Sequence, residues 1–252
     1  MIHERHIRRN ASAGNGAMNG SMRIELSKVR LTLEDRTVFD GLDLSLDVRR
    51  LGLVGRNGAG KSQLLRLIAG LTRPGDGTVR VGGFDPAKDR KAATSRIGFV
   101  FQNPDHALLF PTVLEELTFG PKAKGATARE AEQLAQAHLA RFGVAHWHDR
   151  LVHSLSQGQK HLLGLMVASI GDPDILLMDE AFAGLDLPTT LALRRVLEEL
   201  PAARIEASHD LDSLMGCDRV LWIDAGAVRL DGAPREVISA YRDAMAGQGG
   251  FE

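Results

Sequence analysis

The sequence predicts an α/β fold in which a parallel sheet carries antiparallel strands at one edge, and three observations lead to this prediction. Residues 23–33 and 37–48 alternate apolar and polar side chains, as half-buried antiparallel strands do, with a turn at Asp35 and Arg36. From Arg50 onward the pattern becomes strand, loop, helix, which is typical of a sheet covered by helices. A glycine-rich segment joins the first such strand to its helix.

This glycine-rich segment fits the phosphate-loop pattern. An apolar strand pattern at 50–54 precedes it, and an amphipathic helix pattern at 61–71 follows it. Its glycines allow a tight turn and the close approach of an anion, and the helix N-terminus favours negative charge. We expect Lys61 to reach the β- and γ-phosphates of a nucleotide and Ser62 to bind Mg²⁺. The predicted ATP-binding residues are Gly55, Arg56, Asn57, Gly58, Ala59, Gly60, Lys61, Ser62 and Gln63.

The alternative to a phosphate loop is a glycine-rich turn with a chance lysine, which the flanking strand and helix disfavour. After the helix, turn residues at 73–77 lead to a short strand at 78–81, which we place back at the antiparallel edge.

Two acids end a second apolar run. Residues 175–178 predict a buried strand, and Asp179 and Glu180 follow at its carboxyl end, where ligands bind in parallel sheets. We expect Asp179 to hold Mg²⁺, through water, and Glu180 to polarise the attacking water. A pair of helix-capping acids is the alternative, and the phosphate loop in the same chain disfavours it. The sequence therefore predicts an ATPase site with Mg²⁺ as its cofactor.

Residues 102–154 differ in pattern from the rest, because helices dominate there. A Thr-x-x-Glu cap from Thr127 to Glu130 opens an amphipathic helix at 127–142, and a shorter helix is expected at 111–119, with Trp147 and Leu151 packed beneath both. Later elements are helices at 159–170 and 189–200, a strand at 204–207, a hairpin from strands at 219–223 and 227–230, and a helix at 233–246.

Four further motifs occur in a fixed order. Gln102 follows a predicted strand at 97–101, Leu155-Ser156-Gln157-Gly158-Gln159 opens the helix at 159–170, Gly184-Leu185-Asp186 follows the acids, and His209 follows the strand at 204–207. Together with the phosphate loop and the acids, they resemble the ATP-binding cassette (ABC) family over roughly residues 23–231. Alone, Gln102 would be read as a surface residue, His209 as a turn or core histidine, and residues 156–158 as a loop and helix cap.

The resemblance implies the fold of an ABC nucleotide-binding domain, a P-loop NTPase core with an antiparallel β edge subdomain and an inserted α-helical subdomain. We expect this domain at residues 22–232, with the helical insertion at about 103–165. Residues 1–21 read as a disordered extension, because they mix polar residues and glycine without periodicity. Residues 233–252 are expected to form a helical tail.

The resemblance also implies roles. Catalysis is expected from Glu180, His209 and Gln102, and Mg²⁺ binding from Ser62, Gln102 and Asp179. The signature residues Ser156, Gln157, Gly158 and Gln159 would contact the nucleotide held by a second subunit, and Asp186 of the D-loop would cross the dimer interface. Such an ATPase closes on another subunit around ATP, as a homodimer or as a heterodimer with a related ATPase.

Two segments indicate one branch of this family. Residues 101–106 and 110–121 are similar to the energy-coupling-factor branch, the ATPases of modular vitamin and metal-ion importers. A chain ending soon after its last strand is similar to the biotin type, whereas cobalt and nickel types usually carry a longer tail. The resemblance implies a transmembrane coupling subunit and a substrate-binding membrane subunit as partners. The chain would then lie peripherally on the cytoplasmic face of the cell (inner) membrane.

Several positions depart from the family pattern. Leu33 aligns with the aromatic residue that stacks on adenine, so base packing would be apolar. Gln63 replaces a hydroxyl residue near the α-phosphate, Gln157 replaces a signature glycine, and Ala181 replaces a proline. An arginine common after the signature is absent at residues 160–162. None of these changes removes a group that we assign to the chemistry.

The composition limits the functional classes to which the protein can belong. The net charge of −1 argues against a general nucleic-acid binder, and the single cysteine, Cys217, excludes an internal disulfide framework and suits a reducing cytosol. No run reaches the roughly 18 apolar residues of a membrane helix, so membrane association would come through a partner. The open alternatives are a soluble ABC ATPase without a transport role, a cobalt or nickel importer ATPase, a regulatory module that holds ATP without hydrolysis, and a small-molecule kinase.

Overall fold

The computed structural model describes residues 21–247. The predicted disordered extension at 1–21 lies, apart from Ser21, outside these residues, as does the end of the predicted tail at 248–252. Within them, the strands are β1 (Met22–Leu33), β2 (Arg36–Val48), β3 (Arg50–Val54), β4 (Asp76–Val81), β5 (Ile97–Val100), β6 (Ile175–Asp179), β7 (Ala203–Ala207), β8 (Arg219–Asp224) and β9 (Ala227–Gly232).

The helices lie between these strands and after the last one. They are α1 (Lys61–Ile68), α2 (Arg90–Arg96), α3 (Val113–Ala123), α4 (Ala128–Arg141), α5 (Gln157–Ser169), α6 (Leu187–Glu198), α7 (Leu211–Leu214) and α8 (Pro234–Ala246). No helix within residues 21–247 combines the length and the apolar character needed to cross a bilayer.

The strands form two sheets. One is antiparallel with the order β2-β1-β4, and the other has the order β5-β6-β7-β3-β8-β9. In the larger sheet every neighbouring pair is parallel except β8 and β9, which form the predicted hairpin. The predicted α/β fold with an antiparallel edge is thus confirmed. The main hydrophobic core lies between the two sheets and includes the buried side of α1, with Phe39, Leu53 and Leu65 at its centre.

A second hydrophobic core belongs to the helices between β5 and β6. Val113 and Leu117 of α3, Leu139 of α4 and Leu163 of α5 are buried there together with Trp147. Helices α3, α4 and α5 each begin with a capping box, in which a hydroxyl side chain and a side chain three residues later satisfy each other's amides. This region therefore has its own core and its own helix starts, and its core extends to Ile170.

Some predicted elements differ from those in the structure. Helix α1 ends at Ile68 rather than residue 71, because the amides of Leu71 and Thr72 both donate to the Arg66 carbonyl and close the last turn. The first turn comprises residues 34 and 35, so Arg36 belongs to β2 rather than to the turn, and it pairs with Leu33.

In the helical region, α3 begins two residues later than predicted and continues through Pro121 to Ala123. Trp147 is buried as expected, but the prediction for Leu151 was wrong, because its side chain is 44% exposed. Its backbone instead bridges to Thr112. Helices α2 and α7 were not predicted; α2 buries a single residue, Ala93, and so has no apolar periodicity to detect.

The helical core contains a buried histidine. His138 Nε2 lies 3.1 Å from the hydroxyl of Ser169, and the side chain is 7% exposed. Burial lowers the pKa of His138 below its ordinary value of 6.5. The folded chain therefore keeps this ring neutral at a pH where the unfolded chain protonates it, so stability that is present above the unfolded-state pKa is lost as the pH falls.

We predict that His138→Gln, which keeps a polar group for Ser169 but does not titrate, weakens this pH dependence. Urea unfolding midpoints of the wild type should fall more than those of the variant between about pH 7 and about pH 5.5. His153→Gln, at an exposed histidine, is the control and should follow the wild type. Parallel curves for wild type and His138→Gln would contradict the prediction.

Candidate functional site

Strand order brings the predicted catalytic residues to one edge of the larger sheet. Strands β5, β6, β7 and β3 are adjacent and parallel, so their carboxyl ends lie side by side. Gln102 follows β5, Asp179 ends β6 with Glu180 directly after it, and His209 follows β7. The phosphate loop follows β3, and the strand order therefore explains how residues far apart in sequence share one site.

The phosphate loop wraps around the Lys61 side chain. Lys61 Nζ donates to the carbonyl oxygens of Gly55 at 2.6 Å and of Arg56 at 3.1 Å. Residue 55 has φ +155°, and a Cβ there would lie 2.1 Å from the Ile223 carbonyl, so the loop requires glycine at this position. Burial lowers the pKa of Lys61, and the nearby carboxylates of Glu180 and Asp179 oppose that effect. One of the three ammonium protons remains available for a ligand.

The Ser62 hydroxyl and the Asp179 carboxylate are in contact. Ser62 Oγ donates to Asp179 Oδ1 at 2.8 Å. Such a pair of hard oxygen donors beside a phosphate loop fits Mg²⁺, which takes one or two protein oxygens and fills its remaining positions with water and phosphate. Within residues 21–247, no group of three or more His, Cys, Asp or Glu side chains could hold a metal by itself. The donor set therefore suits a metal that is shared with a nucleotide.

The Glu180 carboxylate lies between two of the predicted catalytic side chains. Its Oε1 is 2.9 Å from His209 Nε2, and Gln102 Nε2 donates to its Oε2 at 3.4 Å. Glu180 also has φ +50°, a conformation that non-glycine residues adopt rarely, and its amide donates to the Ala207 carbonyl at 2.9 Å. The structure thus brings Glu180, His209 and Gln102 together, in agreement with their predicted proximity.

An open cleft of about 480 Å³ lies above the phosphate loop. Among residues 21–247, its lining includes Leu33 and no aromatic ring, so the apolar position expected for the base is present. Sequence reasoning missed Arg36, which also lines this cleft and donates from Nη2 to the Gly58 carbonyl at 3.3 Å. A basic residue next to a turn gives no signal of this contact. The other lining residues are Glu34, Val38, Asn57, Gly58, Gly60, Lys61, Ser62, Gln63 and Glu180.

The signature segment forms the start of α5. Ser156 accepts from the Gln159 amide at 3.3 Å, and Gln159 Oε1 accepts from the Ser156 amide at 3.0 Å. The helix-cap alternative is therefore correct as a description of this segment. It does not exclude a second role, because the Ser156 hydroxyl still has its own proton to donate. Residues 155–159 are not among those that line the cleft of their own chain.

Two of the remaining predicted residues have clear structural roles. Asp186 caps α6 by accepting from the Thr189 amide at 2.9 Å. Gly158 of α5 lies against the same helix, and a Cβ there would come 2.6 Å from the Thr189 Cγ2 methyl group. Gly158 therefore allows α5 and α6 to pack closely within one chain.

Three further residues were predicted to bind ATP. Ala59 is buried, whereas Asn57 and Gln63 face the cleft.

Comparison with known proteins gives a consistent result. The model of the family described as ABC transporter matches residues 40–183. The biotin transport ATP-binding protein BioM of Rhodobacter capsulatus is 46% identical over 222 residues, which cover 88% of this chain and 95% of that protein. The nickel import ATP-binding protein NikO of the same organism is 38% identical over 231 residues, covering 85% and 91%.

A solved structure agrees in fold. The structure of cbiO1 from Clostridium perfringens, described as part of the ABC transporter complex cbiONQ, superposes with a TM-score of 0.72. The two chains are 27% identical, and the match covers 87% of this chain and 92% of that one.

The contact between Gly158 and Thr189 predicts that a second substitution can restore stability lost by a first one. Gly158→Ala should lower the free energy of unfolding by about 1–3 kcal/mol, because the new methyl group overlaps the Thr189 methyl group. Adding Thr189→Ser removes that methyl group and should restore most of the stability, measured by urea unfolding. Thr189→Ser alone is the control. A double variant as unstable as Gly158→Ala would show that the contact is not the cause.

Proposed function

This chain belongs to the ABC transporter family, and from that premise we propose that it is the ATP-hydrolysing subunit of a membrane importer of the energy-coupling-factor type. The observation that carries the proposal is the Glu180 carboxylate, which lies within reach of His209 and Gln102 at the edge of the phosphate-loop cleft. A module that only holds ATP would not need an acid in this position. The domain boundaries expected from the sequence, at 22–232 with an insertion at 103–165, form part of this proposal.

Phosphoryl transfer to water depends on positioning and charge stabilisation. The loop amides and the remaining Lys61 donor hold the β- and γ-phosphates. Glu180 orients a water molecule and accepts its proton as the water oxygen bonds to the γ-phosphorus. The bond between that phosphorus and the β,γ-bridging oxygen breaks at the same time, so ADP leaves with the bonding electrons, and His209 donates to the γ-phosphate oxygens. When bound, Mg²⁺ supplies positive charge to the phosphate oxygens, and Ser62, Gln102 and Asp179 are the residues that would hold it.

A second subunit completes the site. ABC ATPases work as dimers, and Ser156 stands at the N-terminus of the 13-residue helix α5, where backbone amides and the helix dipole favour an anion. We propose that Ser156, Gln157, Gly158 and Gln159 contact the nucleotide of the partner and that Asp186 lies at the interface. Because one chain carries both Glu180 and Ser156, two copies supply two complete sites. A related ATPase as partner remains the alternative.

A membrane subunit would dock on an apolar groove near Gln102. This groove has a volume of about 280 Å³ and is lined by residues that include Phe101, Leu109 and Phe119. Leu109 and Phe119, which both line the groove, are 73% and 51% exposed. We propose that the transmembrane coupling subunit covers this groove, which places the chain peripherally on the cytoplasmic face of the membrane.

Biotin is the proposed cargo. The match to the biotin transport protein is closer than the match to the nickel import protein, at 46% against 38% identity. One relative is named for biotin transport and the other for nickel import, which disfavours a soluble ABC ATPase without a transport role. A separate membrane subunit would select the cargo, so nickel or cobalt is the alternative substrate.

We predict that Glu180→Gln lowers the steady-state rate of ATP hydrolysis by about 100-fold or more, because the amide cannot accept the proton of the attacking water. The variant should still bind Mg-ATP and should form a dimer that persists with ATP, measured by size-exclusion chromatography with light scattering. Glu199→Gln, at an exposed acid after α6, is the control. Wild-type hydrolysis rates in Glu180→Gln would contradict the assignment, and a monomeric variant with bound ATP would contradict the homodimer.

The docking groove predicts a separation of ATPase activity from transport. In cells of the source organism that carry Leu109→Asp as the only copy, uptake of radiolabelled biotin should fall to the level of a deletion strain, while the purified variant keeps wild-type ATPase activity. Leu134→Asp, at a leucine of 45% exposure on α4, is the control. If radiolabelled nickel or cobalt uptake falls instead, the cargo proposal is wrong. Normal uptake of all three would contradict the docking surface.

A further inference from the structure

A buried histidine follows the signature segment. His161 lies in α5 and is 5% exposed, and its Nδ1 is 2.6 Å from the carbonyl oxygen of Ala181. Because a carbonyl only accepts, Nδ1 carries the proton and donates it. Burial lowers the pKa of His161, so the ring is neutral at neutral pH. The ring is therefore a fixed hydrogen-bond donor, aimed at the residue that follows the catalytic acid.

The bond restrains the short backbone segment that carries Glu180. Glu180 has φ +50°, and a residue in this region stays there only when its surroundings hold it. On one side, its amide donates to the Ala207 carbonyl of β7 at 2.9 Å. On the other side, His161 holds the Ala181 carbonyl. The direction of the Glu180 side chain thus depends on a sheet contact and on a contact from α5.

The residue before His161, Lys160, also contacts a segment of the site. Lys160 Nζ donates to Asp105 Oδ1 at 2.6 Å, and Asp105 is three residues after Gln102. Two consecutive residues of α5 therefore reach the two segments that carry Gln102 and Glu180. His161 also lines the apolar groove that contains Leu109. One side chain therefore contacts both this groove and the turn that carries Glu180.

We propose that His161 is a positioning residue that holds the Glu180 turn and links it to the signature helix α5. It does not touch the nucleotide; it acts through the Ala181 carbonyl. The consequence for catalysis rests on the proposed ATPase function, whereas the restraint on the turn does not.

The activity test uses three variants of the full chain. His161→Leu removes the donor at similar volume and should lower kcat by roughly 10- to 100-fold, because the acid is misplaced, while the ATP Kd from calorimetry stays within about twofold of the wild-type value. His161→Asn keeps a donor where Nδ1 lies and should recover most of kcat. His138→Leu removes a buried histidine that contacts Ser169 instead, and it should keep wild-type kcat.

A double-mutant cycle shows whether the effect passes through the acid. In a Glu180→Gln background, His161→Leu should cause little further loss of rate, because residues that act as a unit are not additive. Additive losses would contradict the proposal, and so would an unchanged kcat in His161→Leu or an equal loss in His161→Asn.

Hydrogen exchange tests the restraint without catalysis. The amide of Ala183 donates to the Glu180 carbonyl at 3.0 Å and reports on the turn. Its exchange, followed by mass spectrometry on peptides covering residues 179–185, should be faster in His161→Leu than in wild type, His161→Asn or His138→Leu. Equal exchange in all four would overturn the positioning role. If the wild type shows no ATP hydrolysis but the exchange pattern appears, the proposed function fails and the restraint stands.

Discussion

The site depends on the parallel alignment of four neighbouring strands. Strands β5, β6, β7 and β3 end at the same edge, and each ends in a segment that supplies one part of the chemistry. The register pairs Leu53 of β3 and Asp179 of β6 with the same residue of β7, Ala207. A shift of one residue in any strand would turn its side chains to the other face of the sheet. Backbone hydrogen bonding in the core thus sets the relative positions of the residues that we propose to be catalytic.

The sequence predicted the features that depend on local patterns. The phosphate loop, its flanking strand and the acid pair after β6 could be read from the spacing of glycines, apolar runs and charges, and helix α4 from its cap. Contacts between distant segments could not be predicted. The contact of Arg36 with Gly58 and that of His161 with Ala181 have no signature in either partner's surroundings, because they arise from how whole elements pack. The exposure of Leu151 escaped prediction for the same reason.

The signature helix shows how one segment meets structural and chemical needs together. Ser156 caps α5, Gly158 allows α6 to approach, and Lys160 and His161 contact the segments after β5 and β6. The helical region has its own core, and a third apolar cluster joins it to the larger sheet, where Leu165 of α5 packs with Met178 and Phe182. Any movement of the helical region would therefore act on Asp179 and Glu180 through this apolar packing as well as through the polar contacts of α5.

The end of the cleft that would hold the nucleotide base affects which nucleotides the chain would distinguish. Leu33 offers an apolar surface but no ring for stacking, while the opposite end presents the phosphate loop, the buried Lys61 and the oxygen pair of Ser62 and Asp179. We therefore propose that recognition is concentrated on the phosphate chain and that the base adds little selectivity. We expect such a site to distinguish triphosphates from diphosphates better than adenine from guanine. A transporter built on it would follow the phosphorylation state of the cell's purine nucleotide pool more closely than the concentration of any single nucleotide.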